Sequence, residues 1–129
     1  MSFKFAPDNK VYGTDRGTQL VGNSLELLSA MPAESVDLIM TSPPFALLRK
    51  KSYGNEEQAD YVEWLAAFGN AAMRVLKPTG SFVLDLGGAY ERGRPVRSLY
   101  PFRVLIHFCD VIGYRLAEDY ESGFARRLM

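Results

Sequence analysis

The sequence predicts an α/β fold with a mostly parallel sheet and flanking helices, and three observations carry that prediction. Residues 36–40 and 81–86 are short, nearly continuous apolar runs of the length expected for strands buried on both faces. Between them, Tyr61, Leu65, Phe68, Ala72 and Val75 or Leu76 recur at three- and four-residue spacing, one apolar stripe of a helix. Gly, Pro and Asn clusters stand at each change of pattern, so strands and helices alternate, an order that favours parallel pairing through right-handed crossovers.

Taken in order, residues 1–18 are polar and rich in Gly, Asp and Thr and read as an irregular arm. A short strand at 19–21 ends at Gly22-Asn23, and Ser24 is the expected N-cap of a helix through Leu25, Leu27, Leu28 and Met31, stopped by Pro32. The strand 36–40 follows. Residues 47–58 lack an apolar period and read as a basic, polar loop. The long helix is expected over 61–76, with Asp60 as cap and Glu63 completing a carboxylate variant of the capping box. Lys77-Pro78-Thr79-Gly80 stops it, and Gly87-Gly88 closes the next strand. A helix from about 98 to 111 ends at Gly113, and 114–120 reads as the last strand.

Composition narrows the class of protein. With 129 residues, 47% hydrophobic and 23% charged, the chain has material for a single domain, divided into the arm 1–18, a main region 19–120 and an atypical tail 121–129. Its net charge of zero excludes a global basic field, so nucleic-acid contacts would have to be local. One cysteine, Cys109, excludes an internal disulfide and a Cys-rich metal site. One histidine, His107, leaves little material for a His-based metal site or a Ser-His-Asp triad; no metal site is expected. Both residues fall on a predicted helix and read as core. Neither a membrane-spanning run nor a signal-peptide core is seen, and a cytoplasmic, membrane-free location is expected.

The segment richest in chemistry is Thr41-Ser42-Pro43-Pro44-Phe45, directly after the strand 36–40. Ligands in open α/β sheets bind beyond the carboxyl ends of the strands, and three loops meet there: 22–24, 41–45 and 87–97. Ser42 offers a hydroxyl, Pro43 a carbonyl in a segment with two fixed φ angles, and Phe45 a flat ring. Such a cluster suits a planar base held by its amino group.

Three stretches, Gly22-Asn23-Ser24-Leu25-Glu26, residues 37–45 and residues 80–87, resemble the bacterial DNA amino-methyltransferases of the permuted type. The Ser-Pro-Pro-Phe box is similar to the catalytic motif of the cytosine-N4 branch, adenine-N6 relatives usually carrying Asp-Pro-Pro-Tyr. Arg49-Lys50-Lys51-Ser52-Tyr53-Gly54-Asn55 resembles the same branch, closely the PvuII type. The resemblance implies a partial Rossmann-like methyltransferase fold. It also implies methyl transfer from S-adenosylmethionine to the N4 amine of a cytosine flipped out of double-stranded DNA. In that reading Ser42, Pro43, Pro44 and Phe45 are catalytic, with Ser42 and the Pro43 carbonyl accepting the amine's hydrogens and Phe45 stacking on the base. Asn23, Thr41, Asp85 and Gly87 fall to the cofactor, and Arg49, Lys50, Lys51, Arg92, Arg94 and Arg97 to DNA.

Plainer readings stand beside several of these. Asn23 is equally a helix-entry residue, Asp85 equally a partner in a structural hydrogen bond, and Gly87-Gly88 equally a turn. Arg49, Lys50 and Lys51, followed by Glu56 and Glu57, form a solvated mixed-charge loop as readily as a DNA contact. The sequence also departs from the family: it holds no Phe-x-Gly-x-Gly cofactor loop, and 121–129 does not continue the family pattern. The expectation is an enzyme completed by a second polypeptide carrying that loop or by homodimerisation. The competing classes are a silent remnant or nucleic-acid-binding module, and an adenine-N6 or RNA methyltransferase.

Overall fold

The computed structural model describes residues 9–44, 55–91, 93–119 and 125–128. Strands β1 (Lys10–Gly13) and β2 (Thr18–Leu20) form an antiparallel hairpin closed by the Thr14 N–H donating to Gly17 O at 2.7 Å. This corrects two expectations. The arm supplies a strand, and the strand read at 19–21 pairs with it rather than joining the main sheet. Closing a four-residue turn costs less chain entropy than a crossover, and Val11, Tyr12 and Val21 stay exposed, so no burial pulls the hairpin inward.

Helix α1 (Ser24–Ala30) is capped one residue earlier than expected, because the Asn23 side chain accepts the Leu25 N–H at 3.0 Å. Its carbonyl end is satisfied from outside. Arg74 donates to the carbonyls of Leu28 and Met31 at 2.6 and 2.8 Å, which ties α1 to the end of helix α2 (Asn55–Val75). The helix starts before residue 61, with Asp60 inside it rather than capping it. Residues 55–60 carry polar and small side chains without an apolar stripe, so periodicity gives no sign of them.

Strand β3 (Val36–Thr41) pairs in parallel with β4 (Leu76–Asp85), placing Ile39 beside Phe82 and Thr41 beside Leu84. The strand read at 81–86 thus begins at Leu76. Pro78, Thr79 and Gly80 fall where the register breaks, between the Val36–Leu76 and Leu38–Ser81 pairs, which is how turn-forming residues fit inside a strand. Helix α3 (Tyr100–His107) continues as a π-helical turn over Phe108–Ile112 and ends at Gly113, whose φ of 104° is the left-handed cap. The two pieces span most of the helix expected from 98 to 111, although Ser98 lies before it.

Strands β5 (Leu116–Asp119) and β6 (Ala125–Leu128) complete a sheet of order β3-β4-β6-β5. Strands β3, β4 and β5 run the same way, but only β3 and β4 pair in parallel, so the sheet is mixed rather than mostly parallel. Strand β6, inside the tail 121–129, lies antiparallel between β4 and β5. Four residues reading Ala-Arg-Arg-Leu have no apolar pattern to announce a strand; the ladders on either side create it.

The core lies where α2 and α3 cover one sheet face. Phe82, Phe108 and Tyr114 stack with ring centroids 5.5–5.9 Å apart. Gly69 lets α2 come close: a Cβ there would stand 2.7 Å from Phe108 Cζ. Its carbonyl accepts the Tyr114 hydroxyl at 2.8 Å. Cys109 packs against this core, as expected.

Candidate active site at the ends of β3 and β4

Parallel pairing brings the ends of β3 and β4 together. With Thr41 beside Leu84, the next residues on adjacent strands are Ser42 and Asp85. Thr41, Pro43 and Asp85 are half-buried, and Ser42 and Pro44 are exposed. A cavity of about 500 Å³ opens at this corner. The segment 39–44 forms one wall, Trp64, Leu65, Phe68 and Ala72 of α2 another, and Ser24 and Leu28 of α1 a third. Its lining is mainly apolar with hydroxyls from Ser24, Thr41 and Ser42, a composition and size typical of small-molecule sites.

Two buried tyrosines hold the segments that follow β3 and β4. Tyr61, 2% exposed, donates its hydroxyl to the Pro44 carbonyl at 2.6 Å. Tyr100, fully buried, donates to the Gly87 carbonyl. Their rings meet edge to face, centroids 5.2 Å apart at 82°. Burial pushes the Tyr100 phenol up to about 12, so it remains a proton donor at neutral pH. Sequence reading took Tyr61 for packing and passed over Tyr100. The available signal was a phenol in an apolar stripe, which needs an acceptor once buried.

The remaining candidates divide. Asn23 caps α1, whose first residue, Ser24, lines the cavity. The loop after β4 folds back on itself through Glu91 N–H to Val96 O and Ser98 N–H to Ala89 O, both at 2.7 Å. It carries Arg94 against Glu91 at 3.3 Å and Arg97 over the Tyr90 ring at 5.5 Å, both arginines exposed. Arg94 therefore has a carboxylate neighbour that offsets its charge. Phe45, Arg49, Lys50, Lys51 and Arg92 lie outside the described residues.

Cys109 lies on the π-helical turn after α3, half-buried against the core. Burial, and then the Asp110 charge, raise its thiol above the ordinary value despite an opposing backbone hydrogen bond at Leu116. Among the described residues no group of three His, Cys, Asp or Glu side chains could hold a metal ion. Among them, too, no helix is long and apolar enough to cross a membrane.

A family model described as DNA methylase matches residues 36–120, which contain both strand ends and α2. Among curated relatives, the type II methyltransferase M.PvuII of Proteus hauseri is 56% identical over 109 residues, covering 84% of this chain and 32% of the relative. M.SfiI of Streptomyces fimbriatus is 35% identical over 112 residues, covering 70% of this chain and 26% of the relative. The solved PvuII DNA methyltransferase, described as cytosine-N4-specific, superposes with a TM-score of 0.80 at 52% identity, over 92% of this chain and 41% of that one. A Thermus thermophilus protein, TTHA0409, solved with S-adenosyl-L-methionine, shares the fold with a TM-score of 0.65 at 20% identity, over 84% of this chain and 52% of that one. The chain thus spans about a third or less of the length of these curated relatives.

Proposed function

This chain belongs to the DNA methylase family, and we propose that it carries the amine-binding half of a restriction-modification methyltransferase acting on the N4 amine of cytosine in double-stranded DNA. One observation carries the proposal: Ser42-Pro43-Pro44 stands at the carboxyl end of β3, beside the end of β4, on the wall of an apolar cavity. The cosubstrate is S-adenosylmethionine, which when bound supplies an electrophilic methyl group.

An exocyclic amine is a poor nucleophile while its lone pair is delocalised into the ring. Acceptors that hold its hydrogens favour the pyramidal form, and the Ser42 hydroxyl and Pro43 carbonyl are the groups assigned to that task. Phe45 is assigned to stacking on the flipped base, an interaction worth on the order of 1–3 kcal/mol, which offsets much of the cost of unstacking. The donor set fits the cosubstrate: an apolar wall from Leu28, Trp64 and Phe68, hydroxyls at Ser24 and Thr41, and the Asp85 carboxylate at the neighbouring strand end. Asn23 and Gly87 are assigned to the same group, and Arg49, Lys50, Lys51, Arg92, Arg94 and Arg97 to DNA phosphates. The sequence holds no Phe-x-Gly-x-Gly loop. The proposal assigns that element to a further segment or complementing polypeptide, with a homodimer as the other assembly, in the cytoplasm.

The test is transfer from labelled S-adenosylmethionine to mixed-sequence duplex DNA, with the product nucleosides separated. N4-methylcytosine is the expected product, and Ser42→Ala should lower its formation on the order of 100-fold. Cofactor binding with N6-methyladenine as product would move the substrate to adenine. Absence of both binding and transfer would leave a silent nucleic-acid-binding module.

A further inference from the structure

Pro43 and Pro44 present a problem that the cavity alone does not solve. Neither has an N–H, so the loop cannot be held through its own donors at these two positions, and a hydrogen bond that fixes it there has to run to a carbonyl from a donor elsewhere in the fold. Gly87 and Gly88, at the end of β4, have no side chains to pack, so that loop too is placed through its backbone. The structure answers both needs in the same way, with a buried phenol donating to a carbonyl, and the two phenols touch.

We propose that Tyr61 and Tyr100 are a positioning pair: Tyr61 fixes the Pro44 carbonyl, Tyr100 fixes the Gly87 carbonyl, and the edge-to-face contact of their rings sets the distance between the two strand-end loops. Trp64, which lines the cavity, also packs against the Tyr61 ring, centroids 5.5 Å apart. The pair comes from two different helices, α2 and α3, so a small shift of either helix reaches the Ser42 loop and the Gly87 loop together. The Tyr61 hydroxyl takes up one lone pair of the Pro44 carbonyl and so fixes the direction in which that carbonyl points. As a device of loop placement the pair stands on geometry; as a device of methyl transfer it rests on the function proposed above.

The experiment uses the full chain and the variants Tyr61→Phe and Tyr100→Phe, which keep the rings and remove the hydroxyls. The carbonyl ¹³C resonances of Pro44 and Gly87 are recorded without DNA or cofactor, and kcat and KM are then measured in the transfer assay. Tyr61→Phe should move the Pro44 resonance and Tyr100→Phe the Gly87 resonance. Each should lower kcat about 10- to 100-fold with KM for S-adenosylmethionine within about twofold, the cost of a misplaced loop rather than of lost binding. The double variant should be little worse than either single one, because the two hydroxyls act as a unit.

Tyr114→Phe is the control. It likewise removes a buried phenol hydroxyl and keeps the ring, but its acceptor is the Gly69 carbonyl, which belongs to neither loop, and a matched loss of melting temperature should leave kcat largely unchanged. Unmoved carbonyl resonances in both variants, or an equal kcat loss in Tyr114→Phe, would overturn the pair. If the unsubstituted chain transfers no methyl group, the functional reading falls, and the resonances alone decide the placement.

Discussion

The two faces of the sheet are built from the same two strands and have opposite fates. On one, Ile39 of β3 and Phe82 and Leu84 of β4 lie under α2 and α3, and the two β4 residues are almost wholly buried. On the other, Leu38 and Met40 alternate with them along β3 and are 55% and 73% exposed. Strand residues alternate between faces, so a run that is apolar at nearly every position, as this one is apart from Asp37, announces cover on both sides. Among its described residues the chain leaves that second side open along β3, while Ser81 and Val83 beside it on β4 are buried and half-buried. The difference teaches that stability and exposure part company along one strand: the described residues bury Ile39 and leave Leu38 and Met40 open, in a chain that spans 32% of M.PvuII.

The largest test of that contrast is Phe82→Ala. It removes a ring stacked with both Phe108 and Tyr114, and should cost about 3–5 kcal/mol in urea unfolding. A loss below about 1 kcal/mol would mean that the covered face is not the source of stability.

A second, smaller effect should appear only at alkaline pH and belongs to the same face. The Tyr100 phenol, raised from 10.0 to about 12 by burial, keeps its proton in the folded chain at a pH where the unfolded chain has lost it. Its stabilisation is therefore complete below pH 10 and is lost as pH rises from 10 through about 12. Burial raises the Tyr114 phenol as well, so the decline continues in the same direction. Melting temperatures at pH 8 and pH 11 should differ, and Tyr100→Phe should reduce the difference; an unchanged difference would place the alkaline loss elsewhere.

The smallest effect is expected on the open face. Met40→Thr should change the stability of the chain by no more than about 0.5 kcal/mol, because the side chain gives up little contact. If a complementing polypeptide covers that face, the same substitution should weaken assembly while leaving the melting temperature of the isolated chain in place. Comparison by sedimentation with and without the partner separates the two.

Much of the covered face was legible beforehand. The stripe from Tyr61 to Leu76 and the runs 36–40 and 81–86 are local patterns, and each marks an element in the structure. The Ser42-Pro43-Pro44 turn was legible for the same reason, since a strand end and two prolines are neighbours in sequence. Elements whose existence depends on a partner were not. Strand β1 needs β2, β6 needs β4 and β5, and the early start of α2 has no stripe of its own.

The site divides along the same line. From the sequence alone come the polar corner after β3 and its place at a carboxyl edge, because these follow from side-chain chemistry and short-range periodicity. Tertiary structure alone decided that the Pro44 carbonyl is held by a phenol 17 residues away, that Gly87 is held by Tyr100, and that these two phenols touch. A hydroxyl in an apolar stripe signals that an acceptor is needed. Which carbonyl meets it depends on how closely two helices pack over two strands, and that distance is a property of the whole core rather than of any segment of the chain.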